Sequence, residues 1–465
     1  MTPQPSRSAD QPAPSRGEPR ELTLAVGAPA HGGHCVARPV DDPGGRVIFV
    51  RHALPGETVR ARLTEMTSRT WRADAVEILQ ASPDRVESVW PEAGPAGVGG
   101  GELAHVALDA QRTWKRWVLA DCLRRIGGQE VADAVAALPE ASAAAAVPIE
   151  PMPTDAAAQA SNSARRRALA GTSTRTRVSL TVGEDGRPGM HAFRSGTVLP
   201  LRRLPLAVDA ITEIGLLERS RWRAHYRPGM RIEAIAPSGG EPVVLLDERL
   251  LTAQARSTGR RRVREVVDAS ALGLGELTYS VHAEGFWQVH VDAPRVLVER
   301  VVRGALGADL DGAAGSRVLE LYSGAGLFTL PLAALAGDRG QVLSLEGNEQ
   351  AVRDARRTLH DHPTARLASG RVSARSVREL AGSFTGGRPD VVVLDPPRQG
   401  AGREVIEAVG ALGAERIVLV ACDPAALARD LGTLLRSGYA LGSMSALDMF
   451  PHTHHFETIA VLERS

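Results

Sequence analysis

The sequence predicts an α/β protein whose C-terminal part is a doubly wound domain, preceded by a small β-barrel and a β-rich central region. From residue 291 onward, strand-like and helix-like segments alternate, which is typical of parallel sheets covered by helices. Residues 21–80 instead hold short β-like runs separated by Gly and Pro, as in small barrels. From Arg175 to about Val267 the pattern is again one of strands joined by polar turns.

Composition and charge limit the class of protein and its partners. With 465 residues the chain is long enough for two or three domains, and its net charge of +1 excludes a polycation. The charge is uneven, because residues 161–270 hold 20 Arg against 11 Asp plus Glu, a local balance of +9. Such a field suits a polyanionic partner such as nucleic acid. The alternative is a compositional bias, since Lys115 is the only lysine.

Changes in composition suggest where the domains begin and end. An Ala-rich stretch at about 131–160 is predicted to be a variable linker, and a helix is predicted from Leu103 to Ile126. The predicted regions are a disordered tail over 1–20, a barrel over 21–80, a central region over 81–290 and a doubly wound domain over 291–465.

The cysteines and the apolar runs indicate the compartment. Cys35, Cys122 and Cys422 lie far apart and none belongs to a C-x-x-C pair, which argues against a disulfide framework or a zinc site. We find no signal peptide and no long apolar run, so we expect a cytoplasmic protein without a membrane partner.

A strand, a glycine-containing loop and a second strand predict a Rossmann-like nucleoside site. The strand Val318–Leu321 runs into Tyr322-Ser-Gly-Ala-Gly326, where Gly324 and Gly326 allow a tight turn and close approach to a ligand. The next strand ends in Glu346, whose carboxylate can accept hydrogen bonds from both ribose hydroxyls. The loop lacks the third glycine of G-x-G-x-x-G, which argues against NAD. The alternative is a structural turn with a solvated Glu346.

Two later strands end in groups that suggest chemistry. One is followed by Asp395-Pro-Pro-Arg398, at the sheet edge where open α/β folds bind ligands. The other is followed by Cys422-Asp-Pro424, in which Asp423 suits a helix N-cap and Pro424 the first helical position. The positive end of that helix favours a thiolate, which predicts a Cys422 pKa below the free value of about 8.5. An inert buried cysteine is the alternative.

The C-terminal segment adds three histidines and a glutamate, which are His452, His454, His455 and Glu457. These types can bind a metal, but the sequence shows no partner cluster elsewhere. We therefore interpret Glu457, at the start of the last strand, as an acid/base group near the same sheet edge.

Together these motifs resemble the RNA 5-methyluridine methyltransferases, which modify tRNA or 23S ribosomal RNA. The resemblance covers most of the chain, and residues 21–80 are similar to a TRAM RNA-binding domain. The segments similar to family motifs are Phe286-Trp-Gln-Val289, Tyr322 to Gly326, Glu346, Asp395-Pro-Pro-Arg398, Cys422-Asp-Pro424 and Asp448 through Glu457.

The resemblance implies a reaction and a set of site residues. Cys422 is expected to attack uracil C6 in a single-stranded or flipped-out uridine, and Glu457 to remove the C5 proton. The expected partner is RNA, the cofactor S-adenosyl-L-methionine, and the state a monomer. The expected cofactor-binding residues are Gln288, Tyr322, Gly324, Gly326, Glu346 and Asp395, and the expected substrate residues are Phe286, Asp395 and Arg398. The alternatives are a methyltransferase for DNA or a small molecule and a catalytically idle RNA-binding protein.

The sequence departs from the family at three places. Many members carry four cysteines for an iron–sulfur cluster between the barrel and the first helix. The matching stretches here, 86–91 and 97–101, contain no cysteine, so we expect no cluster. Leu327 stands where several members have Asn near the cofactor, and Ala421 replaces the common Ser before the nucleophile.

Overall fold

The computed structural model describes residues 20–141, 146–310 and 312–465. They form two compact units. The smaller unit comprises residues up to 30 together with 34–83, and the larger comprises 31–33 together with 84–465. The tail predicted over residues 1–20 lies outside the described residues, apart from Arg20.

The smaller unit is a closed barrel in which apolar side chains alternate with polar ones. Leu24, Ile48 and Val59 are fully buried in its interior. The strands run in the spatial order β1-β2-β3-β5-β4, and the barrel closes through antiparallel pairing of β1 with β4. They are β1 (Glu21–Ala30), β2 (His34–Pro39), β3 (Ile48–Arg51), β4 (Thr58–Met66) and β5 (Trp71–Gln80).

A buried ion pair joins the neighbouring strands β3 and β5, which pair in parallel with Arg51 opposite Asp74. Arg51 Nε and Nη2 donate to Asp74 Oδ1 and Oδ2, both at 2.8 Å. The two side chains are 9% and 7% exposed. A fork-like pair of this kind is well satisfied, but either charge left alone in this place is costly.

The central part of the larger unit contains an antiparallel sheet of six strands in the order β12-β11-β10-β7-β8-β9, and a separate hairpin, β13–β14. The strands are β7 (Arg177–Val182), β8 (Pro188–His191), β9 (Val198–Pro200), β10 (Arg231–Ile235), β11 (Val243–Leu246), β12 (Arg249–Thr252), β13 (Arg262–Asp268) and β14 (Glu276–His282). Short helices in this part are α3 (Pro153–Gln159), α4 (Ala164–Ala168), α5 (Asp209–Thr212) and α6 (Ser220–Arg223).

The sheet of the C-terminal part has eight strands in the order β17-β16-β15-β18-β19-β21-β20-β6. The five from β17 to β19 are parallel, whereas β21 runs antiparallel to both of its neighbours. The strands are β6 (Ile149–Pro151), β15 (Arg317–Leu321), β16 (Gln341–Glu346), β17 (Ala365–Ser369), β18 (Val391–Leu394), β19 (Arg416–Ala421), β20 (Tyr439–Asp448) and β21 (Glu457–Arg464). The predicted doubly wound fold with an N-terminal barrel is confirmed.

Helices cover both faces of this sheet because alternate strand residues enter two separate cores. Val318 and Val418 face one core, and Leu319 and Ile417 face the other. No helix in the described ranges is long and apolar enough to cross a bilayer. The helices are α1 (Leu108–Cys122), α2 (Gln129–Ala136), α7 (Ala293–Leu306), α8 (Thr329–Ala336), α9 (Glu349–Thr358), α10 (Ala374–Ala381), α11 (Arg403–Ala411) and α12 (Pro424–Arg436).

Two structural observations concern the stretches where domain boundaries are predicted. The described part of the stretch at 131–160 includes most of α2 together with β6 and α3, and Ile149 pairs with Ala446 in the large sheet. A three-residue strand is too short to show periodicity, so the sequence pattern missed it. On either side of the boundary predicted near residue 290, Val263 and Val318 belong to one hydrophobic core.

We expect Arg51→Met to destabilise the barrel by about 3–5 kcal/mol, because it leaves the Asp74 carboxylate buried without its partner. Hydrogen exchange measured by mass spectrometry on β3 and β5 tests this locally. Arg60→Gln is the matched control, since Arg60 and Glu77 form an ion pair in which both side chains are about half exposed. Equal protection in both variants contradicts the prediction.

Candidate active site

The site lies where the carboxyl ends of the parallel strands meet. Asp395 directly follows β18, and Cys422 directly follows β19. The antiparallel strand β21 begins at the same edge, because Thr458 pairs with Ala421 and its hydroxyl donates to the Ala421 carbonyl at 2.8 Å. Glu457, the first residue of β21, therefore stands beside Cys422 across the ladder.

The loop after β15 is held against the end of β16. Tyr322 has a φ of 63°, a left-handed conformation that a bulky residue rarely adopts, and its N–H donates to the Leu345 carbonyl at 2.8 Å. Glu346 accepts from the N–H of Gly324 at 3.0 Å and from that of Asn348 at 2.7 Å. A Cβ added at Gly324 would meet no atom within 4 Å, so open space lies beside the loop.

Glu320 is a buried carboxylate in this region that the sequence analysis missed. Its Oε2 accepts from the hydroxyls of Thr329 at 2.5 Å and Ser344 at 2.8 Å, whereas Oε1 accepts no hydrogen bond from any described residue. Burial raises the pKa of Glu320 to about 7, although both hydroxyls oppose the shift. A charged residue inside a strand predicted to be buried was the signal for it.

Two further carboxyl groups face the end of β19. Asp395 is half-buried, and burial together with the neighbouring Glu346 raises its pKa to about 7. Glu457 is 6% exposed, and its Oε1 finds no partner among the described residues. Burial and the charge of Asp395 raise the pKa of Glu457 well above its usual value, and only Arg398 opposes them. Glu457 is thus a strong base when it is ionised.

Cys422 is half-buried, and the prediction of a lowered thiol pKa is wrong. Burial, followed by the charges of Glu457 and Asp395, raises the pKa of Cys422 to about 12, although Arg398 opposes this. The helix terminus is also already occupied, because Asp423 Oδ1 accepts from the N–H groups of Ala425 at 3.0 Å and Ala426 at 2.9 Å. The amides that should stabilise a thiolate thus serve the cap.

The remaining predicted residues lie between β14 and α7. Phe286 is 76% exposed, whereas Trp287 is buried with its ring 5.1 Å from that of Tyr279, and Gln288 is buried. Among the described residues, no hydrogen bond or ion pair joins Phe286 or Gln288 to the groups at the sheet edge. Electrostatic coupling does link Cys422, Glu457, Asp395, Arg398 and Glu346 into one group.

The histidines near the C-terminus do have an acidic partner that the sequence pattern did not show. Glu102 accepts a hydrogen bond from His454 Nδ1, and the ring of His455 lies 3.9 Å from that of His454. The ligand atoms of the three residues lie within 4.8 Å of one another. Burial raises the pKa of Glu102, but the hydrogen bond and charge of His454 outweigh it and hold the pKa well below its usual range.

We expect Glu457→Gln and Asp395→Asn to speed alkylation of Cys422 by iodoacetamide at pH 8. Each change removes a negative charge that raises the thiol pKa, and each unit of pKa lowered gives about tenfold more thiolate. Peptide mass spectrometry measures the rate, with the buried thiols Cys35 and Cys122 as internal references. Glu463→Gln, on the same strand but solvent-exposed, is the matched control. Unchanged rates in both site variants contradict the electrostatic account.

Comparison with known proteins agrees with this geometry. A family model described as tRNA (Uracil-5-)-methyltransferase matches residues 275–465, and a TRAM domain model matches residues 18–76. An uncharacterized RNA methyltransferase of Streptomyces avermitilis is 39% identical over 95% of this chain and 98% of its own length. The 23S rRNA (uracil(1939)-C(5))-methyltransferase RlmD of Acinetobacter baumannii is 30% identical over 94% of this chain and 92% of its own.

A solved structure shows the same fold. The tRNA (uracil-54, C5)-methyltransferase of Pyrococcus abyssi, in complex with S-adenosyl-L-homocysteine, superimposes with a TM-score of 0.61 at 20% identity. The match covers 94% of this chain and 99% of that one. On the family models and the extent of the relatives' identity, the chain belongs to the RNA uracil-5-methyltransferase family.

Proposed function

We propose that this protein transfers a methyl group from S-adenosyl-L-methionine to C5 of a uridine in RNA, with Cys422 as the nucleophile. The observation that carries the proposal is the register of β19 against β21, which sets a thiol beside a buried carboxylate. The named relatives act on 23S ribosomal RNA or tRNA, and we propose one of these RNA classes as the substrate.

The residues at the ends of β15 and β16 fit the cofactor. Space is open beside Gly324, and each oxygen of Glu346 accepts one backbone N–H, which leaves lone pairs for two ribose hydroxyls. The other residues that we assign to the cofactor are Tyr322, Gly326, Asp395 and Gln288. When bound, S-adenosyl-L-methionine supplies an electrophilic methyl group.

Cys422 begins the reaction by making a weak carbon nucleophile reactive. Its thiolate forms a bond to uracil C6, and the C5=C6 electron pair moves to C5 and on to O4 as an enolate. Arg398 favours the thiolate, because its positive charge lowers the thiol pKa against the two carboxylates. Its guanidinium is exposed at the end of the Asp395-Pro-Pro turn, where it can also contact the substrate.

Glu457 completes the reaction after C5 has been methylated. C5 then carries both a methyl group and a proton. Glu457 removes that proton, the electron pair restores the C5=C6 bond, and the bond from C6 to sulfur breaks. Burial makes this carboxylate a stronger base than a solvated glutamate, since it raises the pKa of the conjugate acid.

RNA binding is supported by exposed groups outside this pair. The ring of Phe286 offers a surface for an unstacked base, and the target uridine must leave its stack for C6 to be reached. Arg165, Arg166 and Arg167 lie exposed on α4, within the stretch of excess positive charge. The barrel, which matches the TRAM model, supplies a second RNA-binding surface in this proposal.

Glu346→Ala should weaken binding of S-adenosyl-L-methionine by about 1–3 kcal/mol, because it removes the acceptor for the ribose hydroxyls. Isothermal titration calorimetry measures the change. Glu349→Ala is the control, since Glu349 is 77% exposed in the first turn of the next helix. Equal affinity for wild type and Glu346→Ala refutes the assignment.

Cys422→Ala and Glu457→Gln should stop the reaction at different points. Cys422→Ala is expected to lose both methylation and the covalent RNA complex, because no thiolate adds to C6. Glu457→Gln is expected to accumulate a denaturation-resistant RNA adduct that already carries the methyl group. RNA with 5-fluorouridine should trap the wild type in the same way, because fluorine cannot leave as a proton. Denaturing gels with labelled cofactor distinguish these species.

Cys122→Ala and Glu463→Gln are matched controls that should turn over normally. Methylation by Cys422→Ala at a near-normal rate excludes covalent catalysis through this thiol. Full turnover by Glu457→Gln without an adduct assigns the base elsewhere, with His454 and His455 as the next residues to test.

A further inference from the structure

The segment that carries Glu457 to the sheet edge is an irregular connection between β20 and β21. With the strand residue at each end it runs from Asp448 to Glu457, and it contains His452, whose φ of 65° lies in the left-handed region. Within the segment, the N–H and the hydroxyl of Thr453 donate to the Phe450 carbonyl at 3.2 and 2.8 Å. Side chains from outside the segment add to these contacts.

Lys115, on α1, bonds the start of the segment. It is the only lysine of the chain, and its side chain has no exposed surface. Its ammonium group donates to the Asp448 carboxylate and, at 3.1 Å, to the Phe450 carbonyl. Burial lowers the pKa of Lys115, whereas the charge of Asp448 opposes this. A buried charge of this kind is retained at a cost in stability.

Gln111 bonds the middle of the segment from one helical turn earlier on α1, so both side chains lie on one helix face. Its Oε1 accepts from the His452 N–H at 2.7 Å, and its Nε2 donates to His452 Nδ1 at 3.2 Å. Burial lowers the pKa of His452 to about 4, so the ring is neutral at physiological pH. Its Nε2 then carries the proton and donates to the Ala170 carbonyl at 3.3 Å.

The loop before α1 bonds the same segment nearer to Glu457. Leu103 donates its N–H to the His452 carbonyl at 2.9 Å. The Glu102 carboxylate accepts from the His454 N–H at 3.3 Å and from the His454 ring. The segment is thus bonded at residues 448, 450, 452 and 454 by a short stretch of chain far away in sequence.

We infer that Glu102, Gln111 and Lys115 are positioning residues that fix the 448–457 segment so that Glu457 reaches the C5 proton. The inference rests on the proposed function. The position of Cys422 depends on other contacts, because it directly follows β19 and the next residue, Asp423, caps the N-terminus of α12. Loss of the three side chains should therefore impair proton removal and release much more than attack.

The test compares two rates in variants chosen to keep the fold. Gln111→Leu removes the bonds to His452, together with those from Nε2 to the Leu103 and Val106 carbonyls, with little change in size. Glu102→Gln keeps the size of that side chain and removes the charge that faces His454. The double variant Lys115→Met/Asp448→Asn removes both charges together, which avoids a lone buried ion. The control is Tyr439→Phe, which deletes one buried hydrogen bond, to the Ala414 carbonyl at 2.9 Å, at the far end of β20. Circular dichroism and thermal unfolding check that each variant is folded.

Turnover with unmodified RNA and the rate of covalent trapping by 5-fluorouridine RNA are measured for each variant. We expect turnover to fall about 10- to 100-fold, the effect of a misplaced catalytic group, while the trapping rate stays within about threefold of the wild type. A methylated adduct should accumulate on unmodified RNA. Tyr439→Phe should match the wild type in both rates.

Three outcomes contradict the inference. Folded variants with normal turnover show that these residues position nothing that limits the reaction. Equal losses of turnover and trapping show a general effect on the site, as does an equal loss in Tyr439→Phe. Failure of the wild type itself to methylate or to be trapped refutes the proposed function instead, so the two failures are distinguished.

Discussion

The site depends on one constraint, the antiparallel pairing of β21 with β19. Because Thr458 stands opposite Ala421, the residue before one and the residue after the other meet at the sheet edge. A slip of one residue would turn the Glu457 side chain to the opposite face of the sheet. The register is fixed by both cores, since Leu462 and Ile459 enter opposite faces. Packing across the sheet thereby sets the register that brings the two reactive groups to one edge, and the side chains that bond the 448–457 segment act on top of that register.

The same edge concentrates negative charge where solvent is scarce. Glu346 and Asp395 raise the pKa of Glu320, and Glu346 also raises that of Asp395. Asp395 raises the pKa of both Glu457 and Cys422, Glu457 raises that of Cys422, and Arg398 opposes the shifts at the thiol and at Glu457. A stable core would avoid such a group, because carboxylates buried side by side lose hydration that hydrogen bonds replace only in part. Such a costly cluster of carboxylates is typical of a site that binds a cationic cofactor and moves protons.

The sequence was informative where a pattern is local and strong. The strand ends at Glu346, Asp395 and Cys422 and the N-cap at Asp423 could be read directly, because each belongs to a short run with a known periodicity. The long-range contacts could not be predicted from the sequence. Nothing near Glu102 or Gln111 indicates that they contact residues 452 and 454, and no three-residue pattern reveals β6. The prediction for the Cys422 pKa was wrong for the same reason, because the direction of the shift depends on carboxylates that the fold brings together.

Burial of Lys115 has a practical consequence for the chemistry of the surface. Because it is the only lysine and has no exposed side chain, the folded protein offers no lysine amine to solvent. Activated esters, aldehyde fixatives and amine-directed crosslinkers will therefore find no lysine to react with while the fold is intact. Appearance of a modified Lys115 peptide would instead report local opening of α1 from the segment that it contacts.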